Sequence, residues 1–293
     1  MSGPPFFIVG ASRSGTTMLR LMLNAHPRLC IPPESHFLID LHKQFGEAPF
    51  DAVAATSALR DHHRFREWAL DDDAWVTEPA PTSWSELFSR AFAAFAHRED
   101  KPRWGDKTPI YARWLARLHD LFPDAQVVHI IRDPRDVVSS LLSMPWFEGS
   151  AYDAAEHWRA HVAGAHDDGT HLFGDRYLEV RYEDLVHDPP SIAERICRHL
   201  GEPMAPEVLH FQESAGDAIP EHRKAWHQRT AKPIDPSAIG RWRKELARKD
   251  VALTEHVTRS LMHRHGYEPE TGVNAMAAAR TLLARARRVL GGS

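Results

Sequence analysis

The stretch Phe6–Leu23, FFIVGASRSGTTMLRLML, constrains what this chain can fold into more than any other. Phe6, Phe7, Ile8 and Val9 form an unbroken apolar run that reads as a buried strand. Gly10, Gly15 and the small polar residues between them make a tight turn, and the Met, Leu and Arg run behind it reads as a helix opening near Thr16. A glycine-bearing loop between a strand and a helix start presents backbone N–H groups at the positive end of the helix dipole, so this is an anion-binding loop. Its spelling narrows the anion. A nucleoside-triphosphate loop reads G-x-x-x-x-G-K-[ST], and Gly10, Gly15 and Thr17 fit, but Thr16 stands where the lysine belongs. Without that lysine the reach to the β- and γ-phosphates is lost, which disfavours an ATPase or kinase. Arg13 instead places a cation inside the turn, followed by Ser14 and the hydroxyls of Thr16 and Thr17.

The next stretches add candidate chemistry at strand ends. Leu29-Cys30-Ile31 reads as a second strand, and the stiff Pro32-Pro33 pair after it sets Glu34 where ligands bind in an open α/β sheet. Glu34 is therefore a candidate base, the alternative being a solvated loop carboxylate. Residues 37–100 carry helical periodicity in Leu87, Phe88, Ala91, Phe92 and Phe95, and read as two or three helices forming a cap or insertion. Further on, Thr108 as N-cap and Pro109 at the first helical position predict one helix carrying Trp114, Leu115, Leu118 and Leu121 inward and stopping before Pro123. Lys107, just before that cap, points at a bound anion or at solvent. Val127–Ile131 reads as a continuous buried strand, as in a parallel sheet covered on both faces. Arg132 follows it, Asp133 caps, Pro134 opens a helix, and Ser140 lies two turns along, so a second phosphate site is expected here. Arg135 and Asp136 read either as a local ion pair or as ligands.

Tyr177–Tyr182 alternates like a strand, and Ser191–Leu200 reads as a helix stopped by Gly201. Residues 221–232 form a cationic loop that either folds over an anionic cofactor or is solvated, and 275–290 read as a basic amphipathic helix. His157 and His161 stand four apart but lack the H-E-x-x-H glutamate, so no metal site is expected. With 293 residues, no internal repeat and no Gly/Ser linker, one domain is expected. A formal net charge of −4 argues against a general nucleic-acid binder, so any cationic site must be local. Two cysteines, Cys30 and Cys197, make neither a disulfide framework nor a zinc site. No signal-peptide pattern and no run of about 18 apolar residues occurs, so a soluble cytoplasmic protein is expected.

Taken together, GASRSGTT, IIRDPRDVVSS and RYEDL resemble the motifs of sulfotransferases that use 3′-phosphoadenosine-5′-phosphosulfate (PAPS), and RSGTTMLRLMLNAHP is similar to the opening segment of bacterial relatives of the tyrosylprotein sulfotransferases. The resemblance implies a P-loop-type three-layer α/β/α fold with a central mainly parallel sheet, to which the periodicity of 37–100 adds the expected helical cap insertion. The chain is expected to form one sulfotransferase domain over 1–270, with 37–100 as cap, followed by a C-terminal amphipathic helix over 271–293; the matching motifs run from Phe6 to about Arg243, and the cap and the tail are read from their residue patterns alone. The resemblance implies that Arg13, Ser14, Gly15, Thr16 and Thr17 hold the 5′-phosphosulfate and that Arg132 and Ser140 bind the 3′-phosphate. Tyr182 is implied as a cofactor contact and Lys232 as a lysine on a loop covering the nucleotide. Glu34 falls at the general base, while Lys107 and Arg13 neutralise charge in the transition state, with no metal required and PAP as product. The implied acceptor is a hydroxyl on a small molecule, glycan, lipid or peptide tyrosine. His36 stands where the eukaryotic tyrosine-sulfating enzymes carry an arginine, which counts against peptide tyrosine. A homodimer is left open. The alternatives are a kinase-like phosphotransferase with a degenerate loop and a non-catalytic nucleotide-binding module.

Overall fold

The computed structural model describes residues 3–46, 48–213 and 234–271. Five strands lie in one sheet in the order β2-β3-β1-β4-β5. They are β1 (Phe6–Val9), β2 (Leu29–Cys30), β3 (Arg103–Lys107), β4 (Gln126–Ile131) and β5 (Tyr177–Arg181). Every neighbouring pair is parallel, with Ile8 opposite both Lys107 and Val128, and His129 opposite Glu179. All five carboxyl ends therefore point to one edge, and the strand order reverses about β1 there, which is where a doubly wound sheet opens its crevice.

The central strands bury both faces, and their alternation divides the core. Phe7, Val9 and Val127 enter one apolar cluster, while Phe6, Ile8, Val128 and Ile130 enter another on the opposite face. The second cluster is closed by α1 (Thr16–Ala25) and, after the helices described next, by α9 (Tyr182–His187) and α10 (Pro189–Leu200). The first cluster is filled from the 37–100 segment, where α2 (Phe37–Phe45), α3 (Ala52–Asp61), α4 (His63–Arg66) and α5 (Trp84–Arg98) pack around Phe37. Phe37 meets Phe65, Trp68, Phe88 and Phe92 at centroid separations of 5.2–5.9 Å, so this segment is built into the sheet's own core. It holds more helices than the periodicity predicts, because a four-residue helix such as α4 is too short to show a period.

The segment after β3 also departs from expectation. Instead of one helix from Thr108, a 3₁₀ turn (Pro109–Arg113) is followed by a break at Trp114 and then α6 (Leu115–Leu121). Thr108 does not cap it, because its hydroxyl is used elsewhere. α7 (Pro134–Leu142), α8 (Ala151–Asp168), α11 (Trp242–Glu245) and α12 (Arg248–Arg264) complete the described helices, with α7, α8 and α12 meeting through Val138, Trp158 and Met262. As the sequence predicts, Asp133 caps α7 through the Arg135 N–H, and Gly201 ends α10 in the left-handed region. Both cysteines are buried free thiols, pushed up to about 12 for Cys30 and about 11 for Cys197, in each case first by burial. Lys232, and all of the predicted 271–293 helix except Thr271, lie outside the described residues.

Candidate active site

Each strand delivers a candidate residue to the shared edge: Arg13 beyond β1, Glu34 beyond β2, Lys107 at the end of β3, Arg132 after β4 and Tyr182 after β5. The loop after β1 is closely fitted. Arg13 adopts φ 71° and Gly15 φ 97°, and the Ser14 N–H donates to Ala11 O at 3.1 Å. A Cβ on Gly15 would stand 2.5 Å from Tyr182 Cδ2, so the ring occupies the space a side chain would need. A left-handed non-glycine residue stores strain that the surrounding fold must hold, and Arg13 and His36 are two of the four described residues that carry it.

The two arginine-bearing loops are joined to each other. Arg13 Nε donates to Ser140 Oγ at 3.0 Å, and Arg132 donates back to the Arg13 carbonyl at 3.2 Å. The Arg132 guanidinium lies 4.5 Å over the Tyr182 ring, which also stands beside Gly15. Burial, and then the charges of Arg132 and Arg241, lower the Arg13 guanidinium below its ordinary range. Three cations thus gather here, with Asp136 3.9 Å from Arg132 and Glu245 against Arg241, and the local balance at Arg13 stays positive, which suits an anion. Ser14 Oγ and Arg132 Nε are buried and have no hydrogen-bond partner among the described residues. Such orphaned donors, beside the start of α1, fit a bound phosphate or sulfate group.

Glu34 and Lys107 meet on the other side of the β1 loop. Lys107 Nζ contacts Glu34 Oε1 directly and stands 3.4 Å from Thr17 Oγ1, while His36 Nε2 is 3.4 Å from Glu34 Oε2. Burial works to raise the Glu34 carboxyl, but Lys107 and His36 outweigh it and hold the group well below the usual carboxylate range. Burial also pulls the Lys107 ammonium down, against the opposing charge of Glu34. The direct contact between the two keeps Glu34 on the carboxylate side of its titration, with burial opposing the charge on Lys107.

Of the two readings left open for Arg135 and Asp136, the structure shows ion pairing and backbone anchoring, though not with each other, because adjacent helical residues do not face each other. Arg135 is paired at 2.8 Å with both Asp133 and Glu255. Asp136 accepts from the Gly240 N–H at 2.8 Å and the Trp242 N–H at 3.1 Å, which fixes the late segment beside the second loop. That segment supplies Ala238 O to Arg132 and brings Arg241 toward Arg13. Arg241 follows a turn glycine, Gly240 at φ 72°, and no local pattern in the sequence singles it out as a site residue.

Against this geometry, a family model described as the sulfotransferase family matches residues 4–206. The chain belongs to the sulfotransferase family. It is similar to protein-tyrosine sulfotransferase A of Caenorhabditis elegans, 26% identical over 283 residues that cover 92% of this chain and 68% of that one. Among solved structures it resembles the sulfotransferase domain of the Synechococcus PCC 7002 olefin synthase, with a TM-score of 0.62 and 27% identity over 89% of this chain and 96% of that one. The sulfotransferase domain from the curacin biosynthetic pathway shares the fold at a TM-score of 0.62 and 24% identity, over 92% of this chain and 99% of that one. The parallel sheet and flanking helices of this sulfotransferase thus carry the family's P-loop-like α/β architecture.

Proposed function

We propose that this sulfotransferase moves a sulfuryl group from PAPS to an acceptor hydroxyl, with Glu34 as general base. The observation that carries the reading is the pairing of two cationic loops through Arg13, Ser140, Arg132 and Tyr182, beside the direct contact of Glu34 with Lys107. A donor with a 5′-phosphosulfate and a 3′-phosphate needs two anion sites at fixed separation. Arg13, Ser14, Gly15, Thr16 and Thr17 would hold the first and Arg132 and Ser140 the second, with Tyr182 between them. Lys232 remains a proposed contact on the covering loop. When bound, PAPS supplies an activated sulfuryl group whose departure leaves charge on a phosphate.

The protein's own groups then have distinct tasks. Arg13 and Lys107 stabilise the charge that grows on the leaving oxygen, the kind of preorganised electrostatic help that dominates such transfers. Lys107 already reaches toward Thr17, so an anion at the start of α1 competes with Glu34 for its ammonium. As that competition draws the ammonium away, the Glu34 carboxylate becomes a stronger base where an acceptor O–H needs one. No step calls for a metal. A non-catalytic binding module would have no use for a carboxylate placed against the cation that serves the leaving group. The packing of 37–100 into the sheet's core supports reading 1–270 as one catalytic domain.

The test is incubation with sulfur-35-labelled PAPS and hydroxyl acceptors of different chemistry: 4-nitrophenol, an acidic tyrosine peptide, a monosaccharide and a 3-hydroxyacyl thioester. Labelled product with one of them, lost in Glu34→Gln, is expected. Stabilisation by ATP with magnesium but not by PAP would instead select the kinase-like alternative.

A further inference from the structure

The ladder between β2 and β3 stops early. Leu29 pairs with Arg103 and Cys30 with Trp104, and no ladder pairing follows. Pro32 and Pro33 lack the N–H groups that would continue it. Yet Glu34 lies beyond the last pair on one side and Lys107 beyond it on the other, so the backbone sheet does not fix the two relative to each other.

What spans the gap is a chain of buried hydroxyls. Thr108 Oγ1 accepts from the Ser35 N–H at 3.0 Å and lies 3.3 Å from both Ser35 Oγ and Asp106 Oδ1. Ser35 Oγ is 2.9 Å from Tyr111 OH, which also accepts from the Leu38 N–H at the start of α2, at 3.2 Å. Ser35, Asp106, Thr108 and Tyr111 are all 0% exposed. These residues flank Glu34 and Lys107 in sequence: Ser35 follows the carboxylate, and Asp106 and Thr108 bracket the lysine. A buried and connected polar network holds its members rigidly, which an apolar contact of the same size does not. The strained His36 backbone, φ 53°, sits directly between the clipped Ser35 and α2, as expected where surrounding contacts over-determine a conformation.

We propose that Ser35, Thr108 and Tyr111, anchored on Asp106, form a positioning clip that sets the Glu34 carboxylate against Lys107 for transfer. This rests on the reading of Glu34 as base. The hydroxyls touch neither donor nor acceptor; they act through the two residues they flank. A displacement of about 1 Å at a reacting group costs on the order of a hundredfold in rate.

The experiment follows PAP release from PAPS, with 4-nitrophenol as acceptor probe, in Thr108→Val, Thr108→Ser, Tyr111→Phe and Glu34→Gln, together with PAP affinity by calorimetry and melting temperature. Thr108→Val and Tyr111→Phe should lower kcat by about tenfold to a hundredfold with PAP affinity within about twofold, and Thr108→Ser should restore most of the rate. Thr108→Val placed in a Glu34→Gln background should cost little more, because the clip works through Glu34. A full further loss in that background overturns the clip, as does a rate loss that tracks lost PAP affinity and lost melting temperature. Wild-type turnover in Thr108→Val and Tyr111→Phe beside an inactive Glu34→Gln overturns the clip alone. Wild-type turnover in Glu34→Gln overturns the base assignment, and the clip with it.

Discussion

Replacing Lys107 by methionine keeps the volume of the stem and deletes the charge that joins Glu34 to the anion loop. The lysine side chain is 3% exposed and in contact with Glu34 Oε1, with Thr17 Oγ1 3.4 Å away, so both sides of the proposed transfer lose a partner. Breaking a buried ion pair by removing one member costs about 3–5 kcal/mol of stability. Glu34 keeps His36 at 3.4 Å and a side chain 20% open to solvent, which places this case at the low end, about 3 kcal/mol. Loss of a preorganised donor facing the growing charge should lower kcat by about 10²–10³. The pH dependence has a definite sign. Glu34 is depressed in the folded state, so its stabilising contribution is present above the ordinary carboxylate pKa of about 4.3 and is lost only as pH falls through the depressed value. In Lys107→Met burial is opposed chiefly by His36, the folded carboxyl rises, and the acid limb of the rate profile moves to higher pH. The assay is PAP release at saturating PAPS from pH 5 to 9, with melting curves in parallel. A kcat within about fivefold of wild type with an unmoved acid limb, or a loss that more PAPS restores, refutes the reasoning.

Arg132→Ala should weaken PAP by about tenfold to a hundredfold, since a charged hydrogen bond contributes about 1.5–3 kcal/mol, and should leave adenosine 5′-phosphate almost unaffected; calorimetry with both ligands checks this. Gly15→Ala adds a Cβ at φ 97° and 2.5 Å from Tyr182 Cδ2, so it should cost about 1–3 kcal/mol from backbone strain alone and weaken PAP, seen by melting with and without ligand. Burial raises the Asp106 carboxyl to about 7, against the hydrogen bond from Thr108. Its contribution to stability is therefore full below the unfolded carboxylate pKa and is lost as pH rises through about 7; Asp106→Asn should flatten that part of the melting profile, and an unchanged slope would contradict the assignment.

The strands and the two arginine-bearing loops at their ends were legible because their signals are local. An apolar run such as Phe6–Val9 or Val127–Ile131 states a buried strand, and a capping Asp133 before Pro134 states the helix that follows it. The clip was not legible, because its bonds join positions 73 to 76 residues apart and its hydroxyls look like turn and cap residues in isolation. Thr108 shows the difference: cap propensity favours it at a helix start, but the buried Ser35 N–H also needs an acceptor, and that demand takes its hydroxyl. Arg241 escaped for a similar reason, since only folding brings its charge to Arg13, 228 positions away in the chain. Glu34 was placed at the right edge by the strand-end rule, whereas its contact with Lys107 depended on β2 and β3 being neighbours, which a linear reading does not determine.

The Tyr182 ring touches both loops, filling the space beside Gly15 and lying 4.5 Å under the Arg132 guanidinium. The crossed bonds from Arg13 to Ser140 and from Arg132 to the Arg13 carbonyl tie the same two loops together. On the proposed reading of these loops as two anion sites, the contacts set the span between the sites when the chain folds, and a preorganised span leaves less ordering for binding to do. A ligand is measured by the distance between its anionic groups as much as by their charge, and one with a single phosphate reads only half the scale.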